Sequence, residues 1–379
     1  MSSWQEYSLG ELLPYEQPTP YIVESTDYNN NYKTPVLTAG KSFIIGYTNE
    51  PNGIYDKVPV IIFDDFTTST QYVNFPFKVK SSAMKILTAK ADLVLPKFIF
   101  YRMQLIEFDH STHKRYWIQQ YSKIKVRIPL LKEQERIVEK IEELFSELDS
   151  GVETLKKIKQ QLAVYRQAVL KAAFEGRYTN SVPKKHAKVS DFAEVGTGAT
   201  PLTTNPAYYG GNVAWITSAR INDEKIYTPS EYITEKAVSE TNCRLYPPHT
   251  LLVAMYGEGK TRGKCAELMI TAATNQALAA IELHQEDETF RNYLKWFLVF
   301  NYQLLRRQAS GGVQPNLNLS IIKNISVPIF DREDQIKICE EIESRLSVCD
   351  SIEKTVDAAL QQAEAMRQSI LKRAFEGGL

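Results

Sequence analysis

The chain has 379 residues, of which 43% are hydrophobic and 24% charged, and its 45 basic and 45 acidic side chains give a formal net charge of zero. This length is too great for one ordinary core and fits two domains of typical size with connecting structure. Because no apolar run reaches about eighteen residues and the N-terminal segment has neither the basic nor the apolar region of a secretory signal, we expect a cytoplasmic protein without a membrane segment.

Residues 1–128 form the first segment of the chain. They are rich in Tyr, Val, Ile, Thr and Pro and contain short apolar or alternating runs such as VPVIIFDDF and KFIFYRM. Runs of this length and composition are typical of a mixed domain with many strands. The segment carries 14 basic and 12 acidic residues, a surplus too small to supply by itself the many phosphate contacts of tight DNA binding.

Residues 129–180 carry the first copy of a repeat. Shifted by 201 positions, Gln134–Gly176 overlays Gln335–Gly377, and about nineteen of the forty-three pairs are identical. A heptad stripe runs along the first copy, on Ile137, Ile141, Leu144, Leu148, Leu155, Ile158, Leu162, Tyr165 and Val169. This spacing predicts an amphipathic helix with a coiled-coil face, and Gly176 is expected to end it.

Residues 181–327 form a second strand-rich segment. It contains the runs NVAWITSARI and TLLVAMYG, and its opening AKVSDFAEV can be laid on YSLGELLPY, with Leu9 over Val189 and Leu12 over Phe192. The segment therefore predicts a second domain of the same general kind.

All four cysteines, Cys243, Cys265, Cys339 and Cys349, lie in the second half without a C-x-x-C pair, so we expect neither disulfides nor a zinc site.

Residues 328–379 carry the second copy of the repeat. Its apolar stripe runs over Ile338, Ile342, Cys349, Ile352, Val356, Ala363, Met366 and Ile370, with Arg345 and Arg373 interrupting it, and Gly377 is the expected stop. Each helix would be about 65 Å long, too long to cover its stripe within one small domain, so we expect each stripe to pack on the other copy. We therefore predict an α+β protein in which two mixed domains are separated by two long helices that pair as an antiparallel coiled coil, in a pseudo-twofold arrangement.

This plan resembles the specificity subunits of type I restriction-modification enzymes, which alternate two target-recognition domains with two long, similar helices. The likeness rests on the helix ends RQAVLKAAFEG and RQSILKRAFEG and on the strand-to-helix junctions at Pro129 and Pro328. In the second domain it rests on GTGATPLTTNPAYYGGNVAWITSARI, LLVAMYGEGKTRGK and TNQALAAI. The first domain departs from these signatures and looks like another subtype, which implies that the two halves read different sequences.

The resemblance implies a non-catalytic scaffold that reads double-stranded DNA. In the family each recognition domain reads one half of a split, asymmetric target, and the helices fix the spacer. Two methyltransferase subunits carry S-adenosylmethionine and methylate adenine N6, while two motor-nuclease subunits, which use ATP and Mg, add cleavage. No cofactor is expected in this chain itself.

Three motifs resemble those of enzymes but fail in detail. NPAY, at Asn205–Tyr208, resembles a motif that grips an extruded adenine, but no Gly-rich cofactor loop after a strand precedes it, so we interpret it as a turn. GEGKTRGK and TAGKS both lack the first glycine of a phosphate-binding loop. Asp64, Asp65 and the histidines show no metal spacing, and we interpret them as structural or solvated.

The residues most suited to DNA contact are those near the family motifs. A glycine-rich loop lets backbone amides approach phosphates, and Lys and Arg supply charge or, for Arg, reach the edge of guanine. The alternative for the loop is a solvated hairpin. In the second domain the candidates are Thr197, Thr200, Tyr208, Tyr209, Ser218, Arg220, Lys260, Thr261, Arg262 and Lys264. Trp215 is favoured as core, whereas Asn275 and Gln276 fit either an adenine reader or a buried strand anchor.

In the first domain the candidates are Gln17, Thr38, Lys41, Ser42, Tyr47, Lys80, Ser81, Ser82 and Lys85.

Two other functions stay open on the residues alone. One is a coiled-coil binding or structural module whose domains grip protein or glycan. The other is a self-sufficient methyltransferase or nuclease, against which the missing cofactor loop and the missing paired acidic ligands argue.

Overall fold

The computed structural model describes residues 4–40, 42–108, 115–256, 261–310 and 316–378. The chain divides into two compact units, Met1–Lys156 with Asp357–Leu379 (unit 1) and Lys157–Val356 (unit 2). Each of the two predicted long helices therefore contributes one part to each unit. None of the helices in the described part of the chain is both long and apolar enough to cross a bilayer.

Unit 1 begins with the first predicted domain. Its strands are β1 (Gln5–Ser8), β2 (Tyr15–Glu16), β3 (Thr34–Leu37), β4 (Ile44–Thr48), β5 (Val60–Asp64), β6 (Thr70–Val73), β7 (Lys78–Val79), β8 (Met84–Leu87) and β9 (Lys125–Ile128). Its helices are α1 (Leu9–Leu12), α2 (Pro96–Met103), α3 (Tyr116–Gln119) and the first part of α4 (Leu131–Phe174). The strands form one sheet of order β2-β8-β5-β6 and a second of order β4-β3-β7, and β1 pairs with β9.

Unit 2 contains the second predicted domain. Its strands are β10 (Lys185–Lys188), β11 (Ala193–Thr197), β12 (Tyr209–Ile216), β13 (Lys225–Ile226), β14 (Glu231–Ile233), β15 (Leu245–Tyr246), β16 (Leu251–Ala254), β17 (Cys265–Leu268), β18 (Ala272–Thr274), β19 (Leu278–Leu283) and β20 (Ser326–Ile329). Its helices are the second part of α4, α5 (Val189–Phe192), α6 (Glu235–Glu240), α7 (Glu288–Ser310), α8 (Leu319–Lys323) and the first part of α9 (Arg332–Phe375), whose second part belongs to unit 1. The sheets have the orders β11-β19-β16-β17-β13 and β14-β12-β18-β15, and β10 pairs with β20.

The two units share one topology. The order β2-β8-β5-β6 of unit 1 corresponds to β11-β19-β16-β17 of unit 2, and β4-β3-β7 corresponds to β14-β12-β18. The pairing directions also agree, since β3 with β7 and β12 with β18 are the parallel pairs of their respective second sheets. The first domain therefore has the same strand framework as the second, although its sequence departs from the motifs of the second.

The openings of the two domains confirm their predicted alignment. The short helices α1 and α5 begin at Leu9 and Val189 and end at Leu12 and Phe192. Leu9 donates its backbone N–H to Ile124, and Val189 donates to Ile325, in the segment just before the closing strand of each domain. Each domain thus pairs its first strand with its last strand, which directly precedes a long helix.

The long helices α4 and α9 each contain 44 residues, and their bounds coincide under the shift of 201 positions. At the start of each repeat a buried glutamine closes the strand-to-helix junction, because Gln134 Nε2 donates to the Pro129 carbonyl and Gln335 Nε2 to the Phe330 carbonyl, both at 2.8 Å. At the ends, Gly176 and Gly377 take φ values of +74° and +82°. The predicted glycine stops are confirmed.

Within each unit the two helix segments pack together. In unit 2, Arg166 of α4 donates to Asp350 of α9 at 2.7 Å, and Lys159, one heptad earlier, lies 3.8 Å from Glu353, so the segments are antiparallel. In unit 1 the equivalent Arg367 of α9 pairs with the equivalent Asp149 of α4. The same two side chains of the repeat therefore meet twice, with the roles of α4 and α9 exchanged.

The apolar seam is only partly covered. Its buried members are Ile137, Ile141, Leu162, Val169, Ile338, Ile342, Cys349, Val356 and Ala363. The continuous stripe that the heptads predict is wrong in detail, because Tyr165, Ile352 and Met366 are 40–46% exposed. The main core of unit 1 includes Ile137 and Leu371, and that of unit 2 includes Val169 and Ile338, so both helices belong to both cores.

Candidate nucleic-acid interface

One end of the five-stranded sheet of unit 2 gathers several loops. β11 ends there at Thr197, β16 ends there at Ala254, and β17 and β19 begin there. Because β13 runs parallel to β17, the 3₁₀ turn Ser218–Asn222 that precedes β13 lies at the same end. Loops that follow or precede neighbouring strands at one sheet end form a common surface, and we call this surface the unit 2 loop edge.

Thr197 and Thr200 are held in place at this edge by backbone and side-chain bonds. Thr197 Oγ1 donates to the Leu278 carbonyl at 2.7 Å, and Thr200 Oγ1 donates to Gln276 Oε1 at 2.6 Å. Gly198 between them permits a close approach, because a Cβ there would lie 1.7 Å from the carbonyl oxygen of Thr274. The GTGAT segment is therefore fixed against the turn that follows β18.

Tyr246 holds the GTGAT segment through a hydrogen bond to its backbone. Its hydroxyl donates to the Thr197 carbonyl at 3.1 Å, and burial raises the pKa of this phenol to about 12. The hydroxyl consequently stays protonated at neutral pH and remains a donor.

The turn after β18 contains the two amides with alternative interpretations. Asn275 Oδ1 accepts from the backbone N–H of Ala277 at 3.2 Å, and the residue is half-buried, so it stabilises the turn. Gln276 is exposed and is oriented by Thr200. Of the two, Gln276 is the more exposed at the loop edge.

The basic loop between β16 and β17 reaches the same edge. Gly263 takes φ +84° and donates to the Ala254 carbonyl at 2.8 Å, so the last part of the loop continues the hairpin. Lys264 Nζ donates to Asn222 Oδ1 at 2.7 Å, which joins the loop to the 3₁₀ turn. Thr261 and Arg262 are half-buried beside it, whereas Lys260 lies outside the described residues.

Ser218 and Arg220 lie in the 3₁₀ turn and are half-buried. The Arg220 guanidinium donates to the Pro229 carbonyl at 3.2 Å and lies 3.5 Å from the Asp223 carboxylate. Its charge is thus partly used within the protein. Asn222, which sequence reasoning missed, accepts the Lys264 bond across 42 positions of sequence, and no local pattern links the two residues.

Tyr208 and Tyr209 have supporting contacts. They pack on the small cluster around Trp215, and their hydroxyls donate to Glu240 at 3.1 Å and to the Pro201 carbonyl at 2.7 Å. Burial raises the pKa of Tyr209. Trp215 is 5% exposed, which confirms its assignment to the core. The NPAY segment is a turn, as predicted; it is a 3₁₀ turn whose N-cap is Asn205.

Unit 1 has a corresponding edge. β3 and β7 run parallel and end side by side, where the backbone N–H of Lys80 donates to the Leu37 carbonyl at 3.1 Å. The turn with Thr38 and Ser42 therefore lies beside the segment with the exposed Lys80, and Thr38 Oγ1 donates to the Ser42 carbonyl at 3.2 Å. Ser81 and Ser82 continue this segment toward β8. We call this surface the unit 1 loop edge.

Two further first-domain candidates are not found at this edge among the described residues. Lys41 lies outside the described residues. Tyr47 lies toward the other end of β4, opposite Pro35 near the start of β3, and is half-buried there. The structure therefore does not bring Tyr47 together with the Lys80 segment.

The structure corrects the prediction that Lys85 contacts DNA. It is 0% exposed and forms an ion pair with Asp65, with 3.1 Å between Nζ and Oδ2. A side chain without exposed surface cannot contact a phosphate or a base edge, so the prediction of direct DNA contact by Lys85 is wrong. Gln17, in contrast, is exposed, and its Oε1 accepts from Lys85 Nζ at 3.2 Å.

Comparison with known proteins gives a consistent result. A family model described as "Type I restriction modification DNA specificity domain" matches residues 1–163 and 182–362. The specificity subunit of the EcoR124I/EcoR124II type I restriction enzyme of Escherichia coli is 32% identical over 366 residues, covering 91% of this chain and 87% of that protein.

Two solved structures share the fold over nearly the whole length. One, from a study of assembly and conformational transition of the type I restriction-modification system, has a TM-score of 0.73 at 16% identity and covers 99% of this chain and 98% of its own. The HsdS subunit of Thermoanaerobacter tengcongensis has a TM-score of 0.54 at 16% identity, with coverages of 99% and 97%. The chain therefore belongs to the family of specificity subunits of type I restriction-modification systems, which recognise the DNA target.

Proposed function

We propose that this chain reads a split, asymmetric target on double-stranded DNA through its two loop edges and performs no chemical step itself. The loop edge of unit 1 reads one half of the target, called the first half-site, and that of unit 2 reads the second half-site. Two methyltransferase subunits that carry S-adenosylmethionine bind the chain and methylate adenine N6 in the target. Two motor-nuclease subunits with ATP and Mg add cleavage.

The observation that carries this proposal is the combination of one strand framework with unlike loops. Corresponding sheet ends of the two units present the basic loop with Arg262 and Lys264 in unit 2 and a short turn at Asp64–Ser69 in unit 1. Equivalent frameworks give the two readers equivalent geometry, while different loops give them different base preferences. Two different halves follow from two different loop edges.

The weak charge surplus supports the need for partners. Residues 1–128 and 181–327 each carry a surplus of about two basic residues, and residues 328–379 carry 7 basic against 11 acidic residues. Neutralising only a few phosphates gives weak, salt-sensitive binding. The methyltransferase subunits therefore supply much of the backbone contact, and this chain supplies the sequence preference.

A methylome tests the proposal. The chain is expressed with the methyltransferase subunit encoded beside it in a host without DNA methylation, and N6-methyladenine is mapped by single-molecule sequencing. We expect a motif of two unlike halves with a fixed gap. Soluble, co-purifying proteins without new methylation would contradict the proposal, and failure to co-purify would favour a binding module of another class.

Arg262→Ala is expected to affect the second half-site alone. If the guanidinium reads a base edge, its loss relaxes discrimination at one base pair by about 1–3 kcal/mol. Methylation rates on DNAs with single changes in each half measure this. Arg177→Ala, which removes an exposed cation paired with Glu175 at the end of α4, serves as the charge-matched control. Unchanged rates for Arg262→Ala on every DNA would remove this loop from the interface.

A further inference from the structure

Unit 1 buries an ion pair at the base of its loop edge. Lys85 Nζ and Asp65 Oδ2 are 3.1 Å apart, and both side chains are 1% exposed. Taking two charges out of water carries a desolvation penalty that can exceed their attraction, and apolar replacements of similar volume are often neutral or stabilising. Stability of the fold alone therefore does not explain why this pair is present.

In unit 2 the position equivalent to Asp65 holds an uncharged residue. The backbone of Asp65 donates to Ala83 and accepts from Tyr116, both at 2.9 Å. The backbone of Met255 makes the same two bonds in unit 2, donating to Ala277 at 2.8 Å and accepting from Leu317 at 3.1 Å. Met255 thus occupies the place of Asp65, and it is 3% exposed within the core.

The position of Lys85 is equally apolar in unit 2. Lys85 lies opposite Phe63 in the β5–β8 ladder, and Ala279 lies opposite Val253 in the corresponding β16–β19 ladder. Ala279 is 0% exposed. The same strand framework is therefore completed by methionine and alanine in one unit and by aspartate and lysine in the other.

The ion pair organises the residues at the loop edge. Asp65 Oδ1 accepts from the backbone N–H of Trp117 at 2.8 Å. Lys85 Nζ donates to Gln17 Oε1 at 3.2 Å and lies 5.7 Å from the centre of the Tyr15 ring. The ammonium group thus has a carboxylate, an amide oxygen and an aromatic face around it, and Gln17 is the exposed member.

The contact with Lys85 fixes which way the Gln17 amide faces. An ammonium group only donates hydrogen bonds, so only the amide oxygen of Gln17 can face it. The amide nitrogen Nε2 consequently lies on the other side of the exposed side chain. Gln17 therefore offers N–H donors to a ligand, whereas an unrestrained glutamine offers a donor and an acceptor together.

Gln17 also lies at a reading position. In the β2–β8 ladder Glu16 lies opposite Ile86, so continuing that register by one residue places Gln17 opposite Lys85. In unit 2, Thr197 of β11 lies opposite Ala279 of β19. Gln17 and Thr197 are therefore equivalent in the shared framework. Each lies where the outermost strand of its sheet leads into the loop edge.

We propose that the buried Asp65–Lys85 pair is a positioning device that presents the Gln17 amide nitrogen to a guanine of the first half-site. The inference rests on the proposed function. In the major groove, guanine offers two neighbouring acceptors, N7 and O6, whereas adenine pairs its N7 acceptor with an N6 donor. Reading adenine in both positions requires the glutamine oxygen, which is already bonded to Lys85.

The test compares three variants in the complex with the methyltransferase subunit. Gln17→Ala removes the reader. The double substitution Asp65→Met with Lys85→Ala installs the residues of unit 2 and removes the positioning pair without leaving a lone charge. Gln17→Glu replaces the donor by an acceptor. Initial methylation rates are measured on DNAs in which each base pair of both half-sites is changed in turn.

We expect Gln17→Ala and the double variant to lose about tenfold or more of the discrimination at one and the same G·C pair of the first half-site. The second half-site and the spacer stay unchanged. Gln17→Glu shifts the preference at that pair toward cytosine, whose N4 group is a donor. A general structural defect would instead lower the rates on all DNAs alike, so position-specific relaxation separates the two explanations.

Other outcomes overturn the inference. If the wild-type complex methylates a split target but Gln17→Ala keeps full discrimination everywhere, the reading role is wrong and the proposed function stands. Gln17 is exposed, so this result holds whether or not the double variant folds. If Gln17→Ala relaxes a G·C pair but a folded double variant does not, the positioning role is wrong. Absence of a split target in the wild-type methylome refutes the proposed function itself.

Discussion

Asp65→Ala is expected to lower the free energy of unfolding of unit 1 by about 3 to 5 kcal/mol. The substitution leaves the Lys85 ammonium in a site with 1% exposure and without its carboxylate partner. It also removes the acceptor of the Trp117 backbone N–H. An uncompensated buried charge is among the few single changes that produce an effect of this size.

Native-state hydrogen exchange measures this effect where it arises. The amides of β5 and β8 report the opening of unit 1, and the amides of β16 and β19, in the same sample, report unit 2 and should be unaffected. Glu6→Ala is the matched control because its ion pair with Lys125 is on the surface, with side chains 48% and 70% exposed. We expect it to cost at most about 1 kcal/mol.

The double variant Asp65→Met with Lys85→Ala gives the complementary result. Because Met255 and Ala279 fill the equivalent places in unit 2, we expect it to recover most of the stability that Asp65→Ala loses. A loss below about 1 kcal/mol for Asp65→Ala would contradict the burial of the pair.

The repeat made the architecture predictable from sequence. Identical side chains at matched positions of two long segments require equivalent surroundings, and Arg166 with Asp350 and Arg367 with Asp149 show why these identities exist. The equivalent openings at Leu9 and Val189 were predictable from a looser likeness, since both positions hold an apolar residue in similar short segments. What the repeat does not reveal is how the cores divide, since that depends on contacts between residues about two hundred positions apart.

The prediction from sequence failed at Lys85. In MKIL, alternation places Lys85 on the face opposite that of its neighbours Met84 and Ile86. A polar residue at such a position usually faces solvent. Here β8 lies between β2 and β5, and both of its faces are covered, so all four of its residues are buried. Alternation predicts the face of a residue but not what covers that face.

The loop edges were predictable only as sets of candidates. Composition identified Gln17 and Lys85 separately, but their bond spans 68 positions, and no pattern in the sequence links them. The same holds for Lys264 and Asn222. Which candidates reach the surface is decided by tertiary partners, and a single sequence does not name those.

Lengthening both long helices by one heptad is expected to change the spacer of the DNA target and leave both half-sites unchanged. Each helix passes from one unit to the other between Lys156 and Lys157 or between Val356 and Asp357. Seven residues inserted at both points add about 10 Å of helix and nearly two full turns, so the seam keeps its face. That length corresponds to about three base pairs of duplex at 3.4 Å each.

The methylome of this double insertion should show the original two halves with a gap longer by about three base pairs. Methylation of the original target should fall at least about 100-fold, because the altered distance misplaces at least two base-pair contacts together. A heptad in α4 alone is the control. Because α9 is then seven residues shorter than α4, the two helices no longer match in length, and we expect methylation to fall for every gap length. An unchanged gap in the double insertion would mean that the paired helices do not set the distance between the two readers, and the spacer would then depend on the partner subunits.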